Sequence, residues 1–315
     1  MNEVFFPATK HSSLGNEFLV CLLTEDDAKE DVAESTADIP PVEEAHRYFE
    51  NLRLQGKWNA DGLVLAWEDK NLIEKISKEN DTWRTNYFVH MRLFNADGSE
   101  AEISGNGLCC LGQAIARHKV DSNFSVDVAI GGSRQIVTVE NGFSEASASA
   151  VTTTMNYPMV GAFPVRSRLA QAAVANEDLF SDIDFYQGYT ELVDVGNPHL
   201  VIMVEKVDGL DVARHGKAIE DQVGPINIEF VNLPVGVEPI DMVIWERGVG
   251  VTQSCGSGAV AVAAVVDDFD MNFLEDDDYF IVNMPGGSAR VDLLPESRKA
   301  LYTTTVKYLG EYDPA

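Results

Sequence analysis

EISGNGLCCLGQAIARH, residues 102–118, is matched later in the chain by TQSCGSGAVAVAAVV, residues 252–266. In each copy a small polar residue precedes Gly-x-Gly and an apolar run follows, with Ser104 in the first copy where Cys255 stands in the second. Both apolar runs read as helices. AVAVAAVV (259–266) is apolar on every side and LCCLGQAIA (108–116) nearly so, and a helix without a polar face has to be enclosed by other elements. The match extends upstream: the step from Asn95 to Ser104 equals that from Glu246 to Cys255, and each follows a strand ending in an aromatic, Phe94 or Trp245.

The residues around these helices are strand-like, rich in Val, Ile, Phe and Tyr and bounded by Gly, Asn, Asp or Pro. The first half offers 16–23, 62–68, 87–95, 124–130 and 133–141; the second offers 199–205, 226–233, 241–247, 279–284 and 288–294. Amphipathic spacing predicts a helix over 41–53 and another over 166–176. An internal repeat of this kind predicts an α+β protein of two similar domains, each a curved mixed or antiparallel sheet wrapped around one buried central helix. The expected boundaries are 1–154, joined by the returning segment 301–315, and 155–300.

Composition narrows the function. The 315 residues carry 51 acidic and 23 basic side chains, a net charge of −28. That surface repels phosphate backbones and anionic lipid, which argues against nucleic-acid and membrane partners. The acidic runs at 24–34 and 274–279 read as solvated loops. No apolar run reaches membrane-spanning length, and the N-terminal MNEVFFPATK has no signal-peptide pattern. The four cysteines (21, 109, 110, 255) suit free thiols in a reducing cytoplasm. The histidines show no zinc-type spacing, so no metal is expected.

A Gly-x-Gly helix start lets a ligand approach unpaired backbone amides at the positive end of the helix dipole. Such a site binds carboxylates and depresses the pKa of a cysteine placed there. Cys255 is therefore expected to be the most reactive thiol and an acid/base candidate. An inert buried cysteine and an ordinary glycine turn are the plainer alternatives. The duplication favours chemistry. Two polar groups on opposite faces of one carbon are what stereoinversion requires, and the amides would stabilise a carbanion beside a carboxylate without a cofactor.

KHSSLGNEF, FNADGSEAEISGNG, VGNPHLV, INIEFV, WERGVGVTQSCGSGA and MPGG together resemble the diaminopimelate epimerase family in order and spacing. The resemblance covers nearly the whole chain. It implies a PLP-independent isomerase, commonly a homodimer, acting on LL- or meso-diaminopimelate with a base and an acid at two helix starts. It assigns one catalytic place to Cys255 and the other to Ser104. Asn16, Asn95, Asn197 and Asn227 would hydrogen-bond the substrate, and Glu246 and Arg247 would meet its ammonium and carboxylate. The amides of Gly105, Asn106, Gly256 and Ser257 would cradle the reacting carboxylate. Read alone, the asparagines could equally serve turns and caps, and Glu246 and Arg247 an exposed pair.

The chain departs from the family pattern at four places. Ser104 replaces a cysteine, Cys109 an arginine and Val251 a glutamate, while Ser12 holds the usual place of a histidine, with His11 just before it. A serine hydroxyl is a poor proton acceptor unaided. Three readings stay open: an epimerase with a natural or introduced Cys-to-Ser exchange, a diverged one-base isomerase or eliminase, and a non-catalytic amino-acid-binding protein.

Overall fold

The computed structural model describes residues 5–23, 41–68, 87–121, 123–140, 148–162, 185–232, 239–268 and 279–314. The expected helix at 166–176 and, but for Tyr279, the acidic runs fall outside these residues. Contacts divide the chain into two compact units, residues 1–153 with 305–315 and residues 154–304.

The first unit runs β1 (Thr9–Ser13), β2 (Asn16–Leu23), α1 (Pro41–Leu54), β3 (Gly62–Glu68), β4 (Tyr87–Asn95), α2 (Gly105–Lys119), β5 (Asn123–Ile130), β6 (Ser133–Glu140) and β7 (Ala148–Asn156). The second runs β8 (Met159–Val160), β9 (Phe185–Asp194), β10 (Pro198–Val204), α3 (Val212–Val223), β11 (Asn227–Asn232), β12 (Ile240–Glu246), β13 (Gly250–Thr252), α4 (Gly256–Asp268), β14 (Tyr279–Met284) and β15 (Gly287–Leu294). The last strand, β16 (Lys299–Glu311), gives residues to both: Lys299–Thr303 pair with β15 and Val306–Glu311 with β1. In the first unit the order β1 to β7, then β16, comes back to β1, so the sheet closes on itself.

The pairing pattern repeats. From β1 to β6 the successive pairs are antiparallel, parallel, antiparallel, parallel, antiparallel. From β9 through β10, β11, β12 and β14 to β15 the sequence is the same. Each parallel pair needs a crossover: α1 and α2 supply these in the first unit, α3 and α4 in the second.

Among the described residues, two helices per unit serve two layers. In the first unit α2 is buried from Gly105 to Ala116 and packs on β1, β2, β3 and β6. It lies so close that a methyl added at Gly112 would sit 2.7 Å from Val137 and 3.0 Å from Val151. On the other side of β2 and β3, Leu19, Cys21, Leu63 and Leu65 join Ala45, Phe49 and Leu52 of α1 in a second core. Strands covered on both faces carry unbroken apolar runs rather than alternation, which is how NEFLVCLL and GLVLAWE read. The second unit follows suit, with α4 buried from Gly256 to Val266 and α3 closing a core with Leu200, Ile202, Ile228 and Phe230.

The expected strands all appear, within a residue or so at each end. Sequence reasoning omitted β1, β7, β8, β9, β13 and α3. The signal for α3 was present: Asp211 caps it, accepting from the Arg214 amide, and Val212, His215, Gly216, Ile219 and Val223 form its buried stripe.

Candidate functional site

Ser104 and Cys255 hold the same place in the local backbone. Ser104 is extended (φ −142°, ψ 122°), its Oγ accepts from the Gly107 amide at 3.1 Å, and its carbonyl accepts from Leu108 at 2.9 Å. At α4 the Cys255 Sγ accepts from the Gly258 amide at 3.4 Å and its carbonyl from Ala259 at 2.9 Å. Each side chain is thus an N-cap, satisfying an amide that the helix leaves open. The amides of Gly105 and Asn106, and of Gly256 and Ser257, belong to the first turns of these helices.

Around Cys255 a hydrogen-bonded line has formed. Ser257 Oγ lies 3.5 Å from the sulfur, Asn197 Nδ2 donates to Ser257 Oγ at 3.4 Å, and Asn197 Oδ1 faces His199 Nε2 at 3.1 Å. The other ring nitrogen, Nδ1, lies 2.7 Å from Glu229 Oε1, and both residues are fully buried. Gly258 makes room for this carboxylate: a methyl there would stand 2.6 Å from Glu229 Oε1. His199 and Glu229 were not among the expected site residues. Their signal was a histidine opening the apolar run HLVIMV and a glutamate inside IEFV, since a carboxylate buried in a strand core needs a partner.

The expectation of a depressed Cys255 pKa is corrected by the structure. Burial pushes the thiol well above its ordinary range, with the charges of Glu246 and Glu229 adding to the rise; the hydrogen bonds from Ser257 and the Gly258 amide pull it down. The helix-start amides do act, but desolvation of a residue only 6% exposed outweighs them. The other thiols are fully enclosed, and burial raises Cys109 and Cys110 too. Cys109, in the family's arginine place, has its sulfur 3.7 Å from the Val151 carbonyl.

The remaining expected residues divide by unit. In the second, Asn227 Nδ2 donates to the Pro198 carbonyl at 3.2 Å and its Oδ1 accepts from the Arg247 amide at 3.0 Å. That ties the start of β11 to β10 and to the end of β12. Glu246 Oε1 accepts from Thr252 Oγ1 at 2.6 Å, Arg247 is exposed, and Val251 is exposed on β13. In the first unit, Asn106 is buried and its Oδ1 accepts from Ser13 Oγ at 2.9 Å, while Asn16 faces Ser13 across the β1–β2 pair. Asn95 serves a turn, its Nδ2 donating to Ser99 Oγ at 3.0 Å. His11 belongs to the core rather than to a site: Nδ1 donates to Gln113 Oε1 at 2.9 Å and Nε2 faces Thr9 Oγ1 at 2.8 Å. Gln113 in turn donates to Ser149 and to the Val306 carbonyl, which fixes its oxygen toward His11.

Known proteins resemble this chain in sequence and in fold. The family model described as diaminopimelate epimerase matches residues 191–309, which take in Cys255 and the line leading to it. The diaminopimelate epimerase of Methanothermobacter thermautotrophicus is 29% identical over 303 residues, covering 90% of this chain and 89% of that protein. That of Bacillus cereus is 31% identical over 211 residues, covering 64% of this chain and 69% of that protein. Among solved structures, a predicted epimerase from Pseudomonas aeruginosa has the same fold, with a TM-score of 0.62 at 12% identity over 98% of both chains. Identity of this extent, running through both helix starts and their flanking strands, means that the chain belongs to the diaminopimelate epimerase family and is an isomerase.

Proposed function

We propose that the protein catalyses cofactor-independent epimerisation at the α-carbon of an amino acid, converting LL-diaminopimelate to meso-diaminopimelate. The observation that carries this reading is Cys255, a thiol capping an enclosed helix at the end of the line Glu229–His199–Asn197–Ser257. Its raised pKa keeps it protonated at rest, so it stands ready as a proton donor, and the thiolate it leaves is a strong base for the reverse transfer. The amides of Gly256 and Ser257, with those of Gly105 and Asn106, receive the substrate carboxylate and the charge that develops on it. Glu246 and Arg247 meet the ammonium and carboxylate groups, and Asn16, Asn95, Asn197 and Asn227 orient the rest. A homodimer in a reducing cytoplasm belongs to the same reading.

Epimerisation also needs a group on the opposite face, and the repeat assigns that place to Ser104. Its hydroxyl already accepts the Gly107 amide; it can give a proton but is a poor acceptor. Exchange is therefore fast only for the stereoisomer whose α-hydrogen meets Cys255. The same asymmetry favours a one-base isomerase as the second reading.

The test is incubation of LL- and meso-diaminopimelate separately in deuterated buffer, following deuterium at the α-carbon and product stereochemistry. One isomer is expected to exchange much faster than the other, with slow inversion. Exchange without inversion selects the one-base isomerase. Binding without exchange makes the protein an amino-acid binder, and absence of both removes diaminopimelate as substrate.

A further inference from the structure

We propose that His199, Glu229 and Cys255 form a binding site for a thiophilic divalent cation of the Zn²⁺ type. An imidazole nitrogen, a carboxylate oxygen and the thiol sulfur lie within 4.8 Å of one another, and all three residues are buried. They come from β10, β11 and the cap of α4, so no spacing in the sequence discloses them. Glu229 Oε2 is buried with no hydrogen-bond partner among the described residues. An orphan carboxylate oxygen of this kind is costly unless something occupies it. Imidazole nitrogen, carboxylate oxygen and thiolate sulfur are each donors that Zn²⁺ accepts, and a three-ligand site leaves a fourth position for water.

Metal–ligand distances of about 2.0–2.3 Å hold donors roughly 3.3–3.8 Å apart, inside the 4.8 Å span of these three atoms; His199 Nδ1 and Glu229 Oε1, now 2.7 Å apart, separate slightly to admit an ion. The charge balance favours it as well. Glu246 and Glu229 both place negative potential on the sulfur, which opposes a thiolate standing alone and is offset by a dication. Binding replaces the S–H bond by a sulfur–metal bond and releases the proton to solvent, with no change of oxidation state. The first unit carries an internal control. By strand register Phe18 stands where His199 does and Val64 where Glu229 does, so the other copy of the fold has no such donor set.

Binding does not depend on the epimerase reading; only the loss of activity on binding rests on it. The reduced full-length protein is titrated with Zn²⁺, and with Co²⁺ as a spectroscopic probe. One ion per chain, a thiolate-to-Co²⁺ charge-transfer band and release of at least one proton per ion are expected. Cys255→Ser should abolish the band and Glu229→Gln should weaken binding by about tenfold or more, while His118→Ala, an exposed histidine of the first unit, leaves binding unchanged. No charge-transfer band, or equal affinity in Glu229→Gln, overturns the site. Should Glu229→Gln not fold, wild-type protein decides: Zn²⁺ shields Cys255 from iodoacetamide, and undiminished labelling overturns the site. Shielding without loss of α-proton exchange supports the site and counts against Cys255 as the catalytic thiol.

Discussion

The two helix caps share backbone geometry and differ in almost everything that touches it. At α2 the first turn lies against apolar groups: a methyl at Gly107 would meet Leu93 at 3.3 Å and Met91 at 3.6 Å. At α4 the corresponding glycine, Gly258, faces the Glu229 carboxylate. Strand register sets the rest of the comparison. Phe18 pairs with Gly62 and Val20 with Val64; at the same places His199 pairs with Asn227 and Val201 with Glu229. Even the glycine has a reason, since a methyl at Gly62 would strike the Phe18 ring at 2.7 Å, whereas the smaller ring of His199 stands beside Asn227. The repeat thus specifies a scaffold, and a few side chains two residues apart on neighbouring strands specify the chemistry. One copy carries a half-buried capping hydroxyl among apolar neighbours; the other carries a thiol wired to a buried imidazole and carboxylate.

The largest effect expected is at the thiol. Cys255→Ala should cut α-proton exchange by ~10²–10⁴-fold, the usual contribution of a positioned acid/base group, and Ser104→Cys should raise two-sided inversion by a factor in the same range. Retained exchange in Cys255→Ala would show that the comparison has the wrong cap as the active one. Next comes transplantation of the acid. Val64→Glu puts a carboxylate at a fully buried place with no imidazole beside it, and an unpaired buried charge costs ~3–5 kcal/mol. A shift of the denaturant midpoint worth less than about 1 kcal/mol would mean that the first unit has a polar partner there, and the contrast between units would fail.

The third effect is a pH dependence confined to the first unit. Burial, assisted by Arg117 and opposed by the Gln113 hydrogen bond, lowers the His11 pKa from 6.5 to about 4. Above pH 6.5 folded and unfolded states are both neutral at this residue. As pH falls toward 4 the unfolded chain takes a proton that the folded one refuses, so stability drops, by ~3 kcal/mol across that window. In His11→Asn this part of the acid loss should vanish; an unchanged melting profile between pH 6.5 and 4 would exclude His11 as its source. Ser104→Ala then tests the cap alone, with an expected cost of ~1 kcal/mol in thermal unfolding. The smallest effect is in labelling at neutral pH. Cys255 is the one thiol of the four with any exposure, so peptide mapping after brief iodoacetamide treatment should find it first, slowly, and faster as pH rises past the ordinary thiol range. Prior labelling of Cys109 or Cys110 would contradict the enclosure of α2.

Much of the fold was legible because its signals are local or repeated. The two all-apolar helices announced that they were enclosed, and β2 and β3 read to the residue because strands covered on both faces leave uninterrupted apolar runs; β4 and β14 did so by their aromatic and β-branched residues bounded by polar ones. The short strands β8 and β13 left too few residues for any period to register. Cys255 and Ser104 were recognisable as helix starts from the duplicated Gly-x-Gly pattern. Asn197 and Ser257 needed the family resemblance, and Asn95 is engaged in the turn that its own NADGS sequence would suggest.

By itself, then, the amino-acid sequence determined the repeat, the enclosed helices and the identity of the groups at their starts, because periodicity and capping depend on residues within a few places of one another. The tertiary structure decided what those groups can do. Whether the Cys255 thiol is acidified by its helix or held protonated depends first on how the surrounding strands bury it, and then on the carboxylates of Glu246 and Glu229 that β12 and β11 bring beside it. Whether His11 and His199 are core or site depends on the helix each one meets, Gln113 of α2 in one case and the cap of α4 in the other. Desolvation and charge act through space, and distance in space is set only when the strands have paired.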